Sequence, residues 1–361
     1  MKNYLFELGK KAKKASSQNI DTKRKNKVLR DFSNLIFKNR KKIIIENSKD
    51  LNQAVKKKLK SNLIQRLMIN EKKILQIINS IKIIIKLKDP VNQTLEKWQE
   101  PNGLKIEKKT ISIGVIAVIY ESRPNVTSDV ASLCFKSSNP VILKGGSEAY
   151  HSNKIFVNLF KKALKKNNLN QDYIQLINHK NRKVVDFLLT KMSDYIDVII
   201  PRGGKGLVKK VNELSKIPVI GHLEGVCHTF IDKSANLSMA KKITENAKLR
   251  NTAICGATET ILIHQNLLKK FCNPILSNLY EKGCKIIADK KIRKFYKGKI
   301  KIAKEKDWST EYLASIVSVK VVKNSEEAIE HINKYGTMHT DSIITKNKKT
   351  AKYFLKNVKS S

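Results

Sequence analysis

Residues 115–146 read VIAVIYESRPNVTSDVASLCFKSSNPVILKGG. The opening run, Val115–Tyr120, is apolar at every position, so it fits a strand buried on both faces rather than one with a wet side. TSDVASLCFKS then places apolar residues at helical spacing, and PVILKGG is a second short apolar run that stops on glycines. Strand, helix and strand of these lengths make a unit whose two strands lie parallel, with the helix crossing back over the sheet.

The same rhythm continues along the chain. A helix around YHSNKIFVNLFKKALKK is followed by DYIQLI, RKVVDFLLTK, DYIDVIIPRGG, GLVKKVNEL and PVIGH. A second set runs HTFID, a helix over 235–249, TETILIH, KIIAD, VSVKVV, SEEAIEHINKYG, DSIIT and a last helix. Residues 1–99 read as mostly helical, and LKIEKKTISI (104–113) as an alternating strand. We find no internal repeat and no low-complexity linker. The pattern predicts an α/β chain with two doubly wound lobes, 1–224 and 225–361, meeting near Gly225.

Composition sets the outer bounds. With 361 residues and 41% hydrophobic side chains, the chain can bury two cores. No window holds the run of about 18 apolar residues that a membrane span needs, and MKNYLFELGKKAKKASS is amphipathic without the features of a signal peptide. We therefore expect no membrane partner. Five cysteines (134, 227, 255, 272 and 284) form no CxxC pair, which indicates neither a disulfide framework nor a zinc site. A reducing cytoplasm is the expected compartment. Net charge is +42, yet only nine of the 73 basic residues are Arg. Nucleic-acid sites favour Arg for its planar, bidentate contacts. Lys dispersed among Ile and Asn reads instead as codon-driven composition, so no nucleic-acid partner is expected. The basic field would still draw small phosphorylated ligands.

Four junctions carry candidate chemistry. In VIIPRGGKGLVKK a strand runs through Arg202 into Gly203 and Gly204 and then into a helix; it is either a plain turn or a place where backbone N–H groups and a helix N-terminus meet a phosphate. PVILKGGSE sets Lys144 at a strand end, where ligands of open parallel sheets bind. In VIYESRPNVTSDVASLC a buried strand turns at Arg123, Pro124 and Asn125, with Thr127 a cap for the next helix. That corner is a rigid turn, or the Asn125 amide donates to an oxygen that gains charge. In RNTAICGATETILIH a thiol, Cys255, stands on a small-residue bend between helix and strand. A lone Cys is usually a small buried hydrophobe; one on such a bend can also serve as a nucleophile toward activated acyl groups. The other four cysteines sit inside helical or strand patterns and read as packing.

Together, IGVIAVIYESRPNVTSDVASLCFKSSNPVILKGGSE, DYIDVIIPRGGKGL, PVIGHLEGVCHTFID and NAKLRNTAICGATETILIH closely resemble the γ-glutamyl phosphate reductases, or glutamate-5-semialdehyde dehydrogenases, of the aldehyde dehydrogenase superfamily. The likeness extends over essentially the whole chain. It implies an NADP-binding lobe (1–224), a catalytic lobe (225–361), and short oligomerisation strands, with 104–113 in the oligomerisation flap. It implies reduction of L-glutamyl 5-phosphate by NADPH through a cysteine thioester, the second step of proline biosynthesis. Cys255 matches the nucleophile and Asn125 the oxyanion donor. Lys144 matches the lysine at the adenosine ribose, where a cation suits a 2′-phosphate. Arg202, Gly203 and Gly204 match the pyrophosphate turn, and Glu311 falls where the nicotinamide ribose is held. A cytoplasmic homo-oligomer functionally linked to glutamate 5-kinase is implied as well.

Two departures from the pattern stand out. Hydrolytic relatives place a glutamate base near PVIGH; here Gly221 holds that position, with Glu224 three residues on. An acyl-phosphate reductase should lack that base, since water would waste the thioester. The sequence also stops at NVKSS, before the family's C-terminal segment, whose absence would leave the substrate pocket and subunit contact incomplete. The alternatives are another acyl-phosphate or aldehyde dehydrogenase of the superfamily, or a truncated inactive member.

Overall fold

Alternate residues of the strand Ile116–Tyr120 leave on opposite sides of one sheet, and helices cover both sides. Ile116, Val118 and Tyr120 join a core with Phe32, Ile81, Phe135 and Phe160, while Ala117 and Ile119 join another with Leu5, Leu188 and Val211. Double coverage is why the sequence shows no polar alternation there. The computed structural model describes every residue except Lys60, Ser122, Lys180, Arg182 and His222, and only the backbone of Ser61 and Asn62. The chain divides into two compact units, Met1–Gly221 and His222–Ser361.

The first unit begins with helices α1 (Lys2–Ser16), α2 (Thr22–Lys38), α3 (Arg40–Lys56), α4 (Ser61–Leu67) and α5 (Glu71–Lys86), followed by strands β1 (Thr94–Gln99) and β2 (Lys105–Lys109). Then come β3 (Ile116–Tyr120), α6 (Pro124–Lys136), β4 (Val141–Gly145), α7 (Tyr150–Lys166), β5 (Ile174–Leu176), α8 (Lys183–Lys191), β6 (Val198–Arg202) and α9 (Lys205–Leu214). The sheet order is β5-β4-β3-β6, all parallel. Tyr120 is in register with Gly145 on one side and Arg202 on the other. The carboxyl ends of three strands therefore finish along one edge.

Several expectations change here. Residues 94–99 are a strand rather than helix, paired antiparallel with β2 in a register that sets Glu96 against Lys108 and Lys97 against Glu107. Opposite charges across the ladder stabilise a ribbon that is exposed on both faces. The strand expected over 104–113 stops at Lys109; Thr110 still meets the segment before β1, its N–H on the Gln93 carbonyl (3.0 Å) and its hydroxyl on the Pro90 carbonyl (2.6 Å). Thr127 is not a cap: α6 starts earlier, at Pro124, and Thr127 is buried with its hydroxyl on Asn153 (2.8 Å) and Tyr120 (2.7 Å). PVIGH makes a single bridge, Ile199 to Val219, in place of a strand. Its His222, with Ser122 of the Arg-Pro-Asn corner and Arg182 of the RKVVDFLLTK run, lies outside the described residues.

The second unit runs β7 (Cys227–Ile231), α10 (Leu237–Leu249), β8 (Thr258–His264), α11 (Asn273–Glu281), β9 (Lys285–Ala288), β10 (Lys301–Ile302), β11 (Ile316–Val322), α12 (Ser325–Tyr335), β12 (Asp341–Ile344) and α13 (Lys348–Asn357). Its parallel sheet has the order β10-β9-β11-β8-β7-β12. One face buries Ile261, Ile263, Val317 and Val319 with Leu276 and Leu279; the other buries Phe230, Leu262 and Val322 with Ile329, Ile332 and Phe354. Both units are thus three-layered, with parallel sheets of the doubly wound kind. Among the described residues no helix is long and apolar enough to cross a membrane.

Candidate active site

Cys255 lies in the turn between the end of α10 and the start of β8. All five cysteines are described, and Cys255 alone is exposed. Burial pushes the thiols of Cys134, Cys227 and Cys272 up to about 12 and that of Cys284 to about 11. A thiolate stripped of water is costly, so those four stay protonated.

The turn is held by close backbone contact. A Cβ at Gly225 would stand 1.8 Å from the Cys255 carbonyl oxygen and 2.8 Å from its Cα, so any side chain at 225 would displace the backbone of Cys255. The Val226 N–H donates to Thr337 Oγ1 (3.0 Å), and that hydroxyl donates to the Glu224 carbonyl (2.8 Å). Cys227 Sγ donates to the Cys255 carbonyl at 3.1 Å. The same sulfur is 3.7 Å from His339 Nδ1, which is also 2.9 Å from Thr340 Oγ1. His339 Cε1 lies 4.0 Å from where a Cβ on Gly256 would be. Asp341 anchors the following strand, accepting the His228 N–H at 2.8 Å.

Glu311 meets this corner from another loop. Its Oε1 accepts the Gly225 N–H at 3.0 Å. Two residues on, Leu313 takes a positive φ of 49° and donates its N–H to Glu259 Oε1 (3.3 Å). Glu259 is buried against Lys248 (2.6 Å); burial raises its pKa, and the ammonium and the Leu313 N–H oppose the rise. This buried pair thereby fixes the loop that carries Glu311. Removing either partner would strand the other's charge, at a cost of about 3–5 kcal/mol.

In the first unit the remaining candidates gather on the carboxyl edge of the sheet. Arg202 ends β6 and is exposed, and Gly204 caps α9. The Gly204 N–H donates to Glu121 Oε2 at 2.8 Å, and a Cβ at Gly203 would approach that oxygen to 2.6 Å. A carboxylate therefore already occupies the amino end of α9, where backbone N–H groups and the helix dipole favour an anion. Lys144, near the end of β4, donates to the Gly145 carbonyl (3.0 Å); burial lowers its pKa and Glu148 opposes the shift. It lines a small depression with Gly146, Ser147, Asn178 and His179. Asn125 is half-buried in the first turn of α6, its amide donating to Asp129 (3.2 Å). Burial raises the Asp129 pKa.

The structure thus brings Asn125, Lys144, Arg202, Gly203 and Gly204 to one sheet edge of the first unit, and Cys255 and Glu311 to one corner of the second. Sequence reasoning missed Cys227, Gly225, His339 and the anion role of Glu121. Cys227 reads as packing because it begins an apolar strand, and nothing local ties it to a residue 28 positions away. Glu121 had a clue, standing directly at a strand end beside the Arg-Pro-Asn corner. Among the described residues no group of three or more His, Cys, Asp and Glu is placed to hold a metal.

Comparison with known proteins gives a consistent outcome. Residues 6–282 match the model of the aldehyde dehydrogenase family. The γ-glutamyl phosphate reductase of Thermodesulfovibrio yellowstonii is 42% identical over 363 residues, spanning 100% of this chain and 86% of the relative. That of Caldanaerobacter subterraneus subsp. tengcongensis is 43% identical, over 98% of this chain and 85% of the relative. The crystal structure of γ-glutamyl phosphate reductase from Thermotoga maritima superposes with a TM-score of 0.94 at 36% identity, over 99% of this chain and 86% of that one. An acetylating aldehyde dehydrogenase from Geobacillus thermoglucosidasius, 17% identical with a TM-score of 0.67, shares the fold. The chain belongs to the aldehyde dehydrogenase family, among its γ-glutamyl phosphate reductases.

Proposed function

We propose that this chain reduces L-glutamyl 5-phosphate to L-glutamate 5-semialdehyde and phosphate, with NADPH as reductant, in the second step of proline synthesis from glutamate. The observation that carries this reading is the single exposed thiol on a turn clamped by Gly225 and Cys227. As a thiolate, Cys255 attacks the acyl carbon and expels phosphate, leaving a thioester on its sulfur. NADPH, when bound, supplies the hydride that reduces this thioester. In this reading the Asn125 amide would serve as the oxyanion donor, as the resemblance implies.

The first unit suits the cofactor. Arg202, Gly203 and Gly204 would face its pyrophosphate, and the Glu121 carboxylate on the Gly204 N–H supports an anion site there. Lys144 would meet the adenosine ribose and its 2′-phosphate, and Glu311 would hold the nicotinamide ribose. Gly221 stands where hydrolytic relatives carry a glutamate, and a side chain begun there would press on the Pro201 ring at 3.0 Å. With no base at that position, the thioester awaits hydride instead of water. The ribbon β1–β2 leaves Leu95 and Trp98 exposed, apolar surface that a second copy would cover in a homo-oligomer. The substrate is an acyl phosphate, so a glutamate 5-kinase must supply it, in the cytoplasm.

Cys255→Ser tests the assignment. It should lower phosphate-dependent oxidation of glutamate semialdehyde by NADP⁺ by at least about 10³-fold, because the serine hydroxyl is far less ionised than a thiol. Appreciable residual turnover would refute the role of Cys255.

A further inference from the structure

The buried stripe of α10 is Ala240, Thr244 and Lys248, spaced four apart, so the last turn of the helix sets an ammonium where the pattern calls for an apolar side chain. Its partner, Glu259, lies in β8, a strand buried at all seven positions. Both side chains are sealed from solvent, and Nζ meets Oε2 at 2.6 Å. Stability alone does not call for two charges here, because well-packed apolar residues of similar volume usually serve a core as well or better.

The pair joins separate pieces of backbone. Lys248 sits in the helix that leads into the turn of Cys255, and Glu259 in the strand that leads out of it. Contact between these residues, eleven apart in sequence, ties the two ends of that turn together. The other carboxylate oxygen, Oε1, accepts the Leu313 N–H at 3.3 Å. Leu313 has a φ of 49°, a left-handed conformation that a residue other than glycine keeps only when its surroundings hold it there. Two residues earlier, Glu311 Oε1 accepts the Gly225 N–H at 3.0 Å, and Gly225 packs against the Cys255 carbonyl. A closed circuit results. It runs from Cys255 along its turn to the pair, across to the 311–313 loop, and back through Gly225 to Cys255.

We propose that Lys248 and Glu259 are positioning residues for the reduction: one buried ion pair sets both the turn of Cys255 and, through Leu313, the carboxylate of Glu311. The inference rests on the reading of the chain as an NADPH-dependent reductase in which Glu311 meets the nicotinamide ribose. Neither member of the pair touches substrate or cofactor. Apolar replacements would fill the same space, but they would offer the Leu313 N–H no acceptor and leave the ends of the turn untied.

The test uses the full chain and reads Tm, the Kd for NADPH from its fluorescence, and kcat for phosphate-dependent semialdehyde oxidation. Lys248→Met with Glu259→Leu should keep Tm within a few degrees of wild type, as apolar replacements of buried pairs do. The Kd should nevertheless rise about tenfold, the scale of one hydrogen bond to a charged group, and kcat should fall about 100-fold through misplacement of the turn. Lys248→Met with Glu259→Gln puts back an acceptor oxygen without the charges, and should recover most of the NADPH affinity. In a Glu311→Ala background the Met and Leu substitutions should change Kd by less than about twofold, because the path to the ribose is already cut.

Fully additive effects on Kd in that cycle would overturn the proposal, as would wild-type Kd and kcat in the Met and Leu variant. Should that variant not fold, the Met and Gln variant decides: affinity as weak as that of Glu311→Ala would overturn the proposal, and near wild-type affinity would support it. If wild type binds NADPH and the cycle is non-additive, yet semialdehyde is not turned over, the positioning pair stands and the reductase reading fails. If wild type turns over and the cycle is additive, the pair alone fails. A wild type that binds no NADPH overturns both.

Discussion

On the sheet edge of the first unit, Glu121, Lys144 and Arg202 are brought together by three neighbouring parallel strands whose ends are in register. The topology alone delivers them to one place, and each needs only to sit at a strand end. In the second unit, the Cys255 corner is assembled from four loops, and Cys227 and His339, 112 residues apart, meet across it. There the governing contacts are backbone against backbone. An edge of strand ends tolerates local change because its obstacles are side-chain tips; a clamped turn does not.

Two glycines test this contrast directly. At Gly225 a methyl group would collide with the carbonyl oxygen, carbon and Cα of Cys255, none of which can rotate away. At Gly203 it would meet the Glu121 carboxylate and the Leu207 methyl, both ends of flexible side chains. Gly225→Ala should therefore lower kcat by about 100-fold or more, since displacing a nucleophile by an ångström costs that much. It should also lower Tm by several degrees, as overpacking costs roughly 1–3 kcal/mol. Gly203→Ala should leave Tm within about a degree of wild type. Equal Tm losses in thermal melts of the two variants would erase the distinction.

The same contrast explains what was legible in the sequence. Val115–Tyr120, with the following helix and PVILKGG, carries its own period and glycine stops, so the parallel sheet and its loaded edge follow from local pattern. Cys255 could be picked out for its small-residue bend, but its clamp could not. Gly225 looked like a boundary, Cys227 like core and His339 like loop, because each acquires its meaning from a partner far along the chain. The β1–β2 ribbon was hidden for another reason: TLEKWQ and KIEKK are charged and exposed, and their strand character comes from cross-strand pairing instead of a buried face.

Lys144 probes the edge at the level of charge. Its ammonium is half-buried beside Gly145 and Gly146, in a depression at the ends of β4 and β5. A charge-assisted hydrogen bond to a phosphate contributes about 1.5–3 kcal/mol. Lys144→Ala should thus raise the KM for NADPH about 10- to 100-fold and that for NADH only a few-fold, with kcat little changed. Equal increases for both nucleotides, measured in the same buffer, would remove the 2′-phosphate from this position.

Glu121 gives the smallest effect and the finest test of the edge. Its carboxylate sits on the Gly204 N–H at the start of α9, the place a pyrophosphate would take. A bound dinucleotide must displace it or share the site with a like charge. Glu121→Gln keeps an oxygen acceptor for the N–H but removes the charge, and a charge at a helix N-terminus is worth about 0.3–1 kcal/mol. NADPH should therefore bind roughly 2- to 5-fold more tightly to Glu121→Gln at low salt. The advantage should shrink by 0.5 M salt, where screening weakens exposed charges. If the variant bound NADPH more weakly than wild type at both salt concentrations, Glu121 would be a ligand-positioning group, and the anion it presents to Gly204 would not be a competitor.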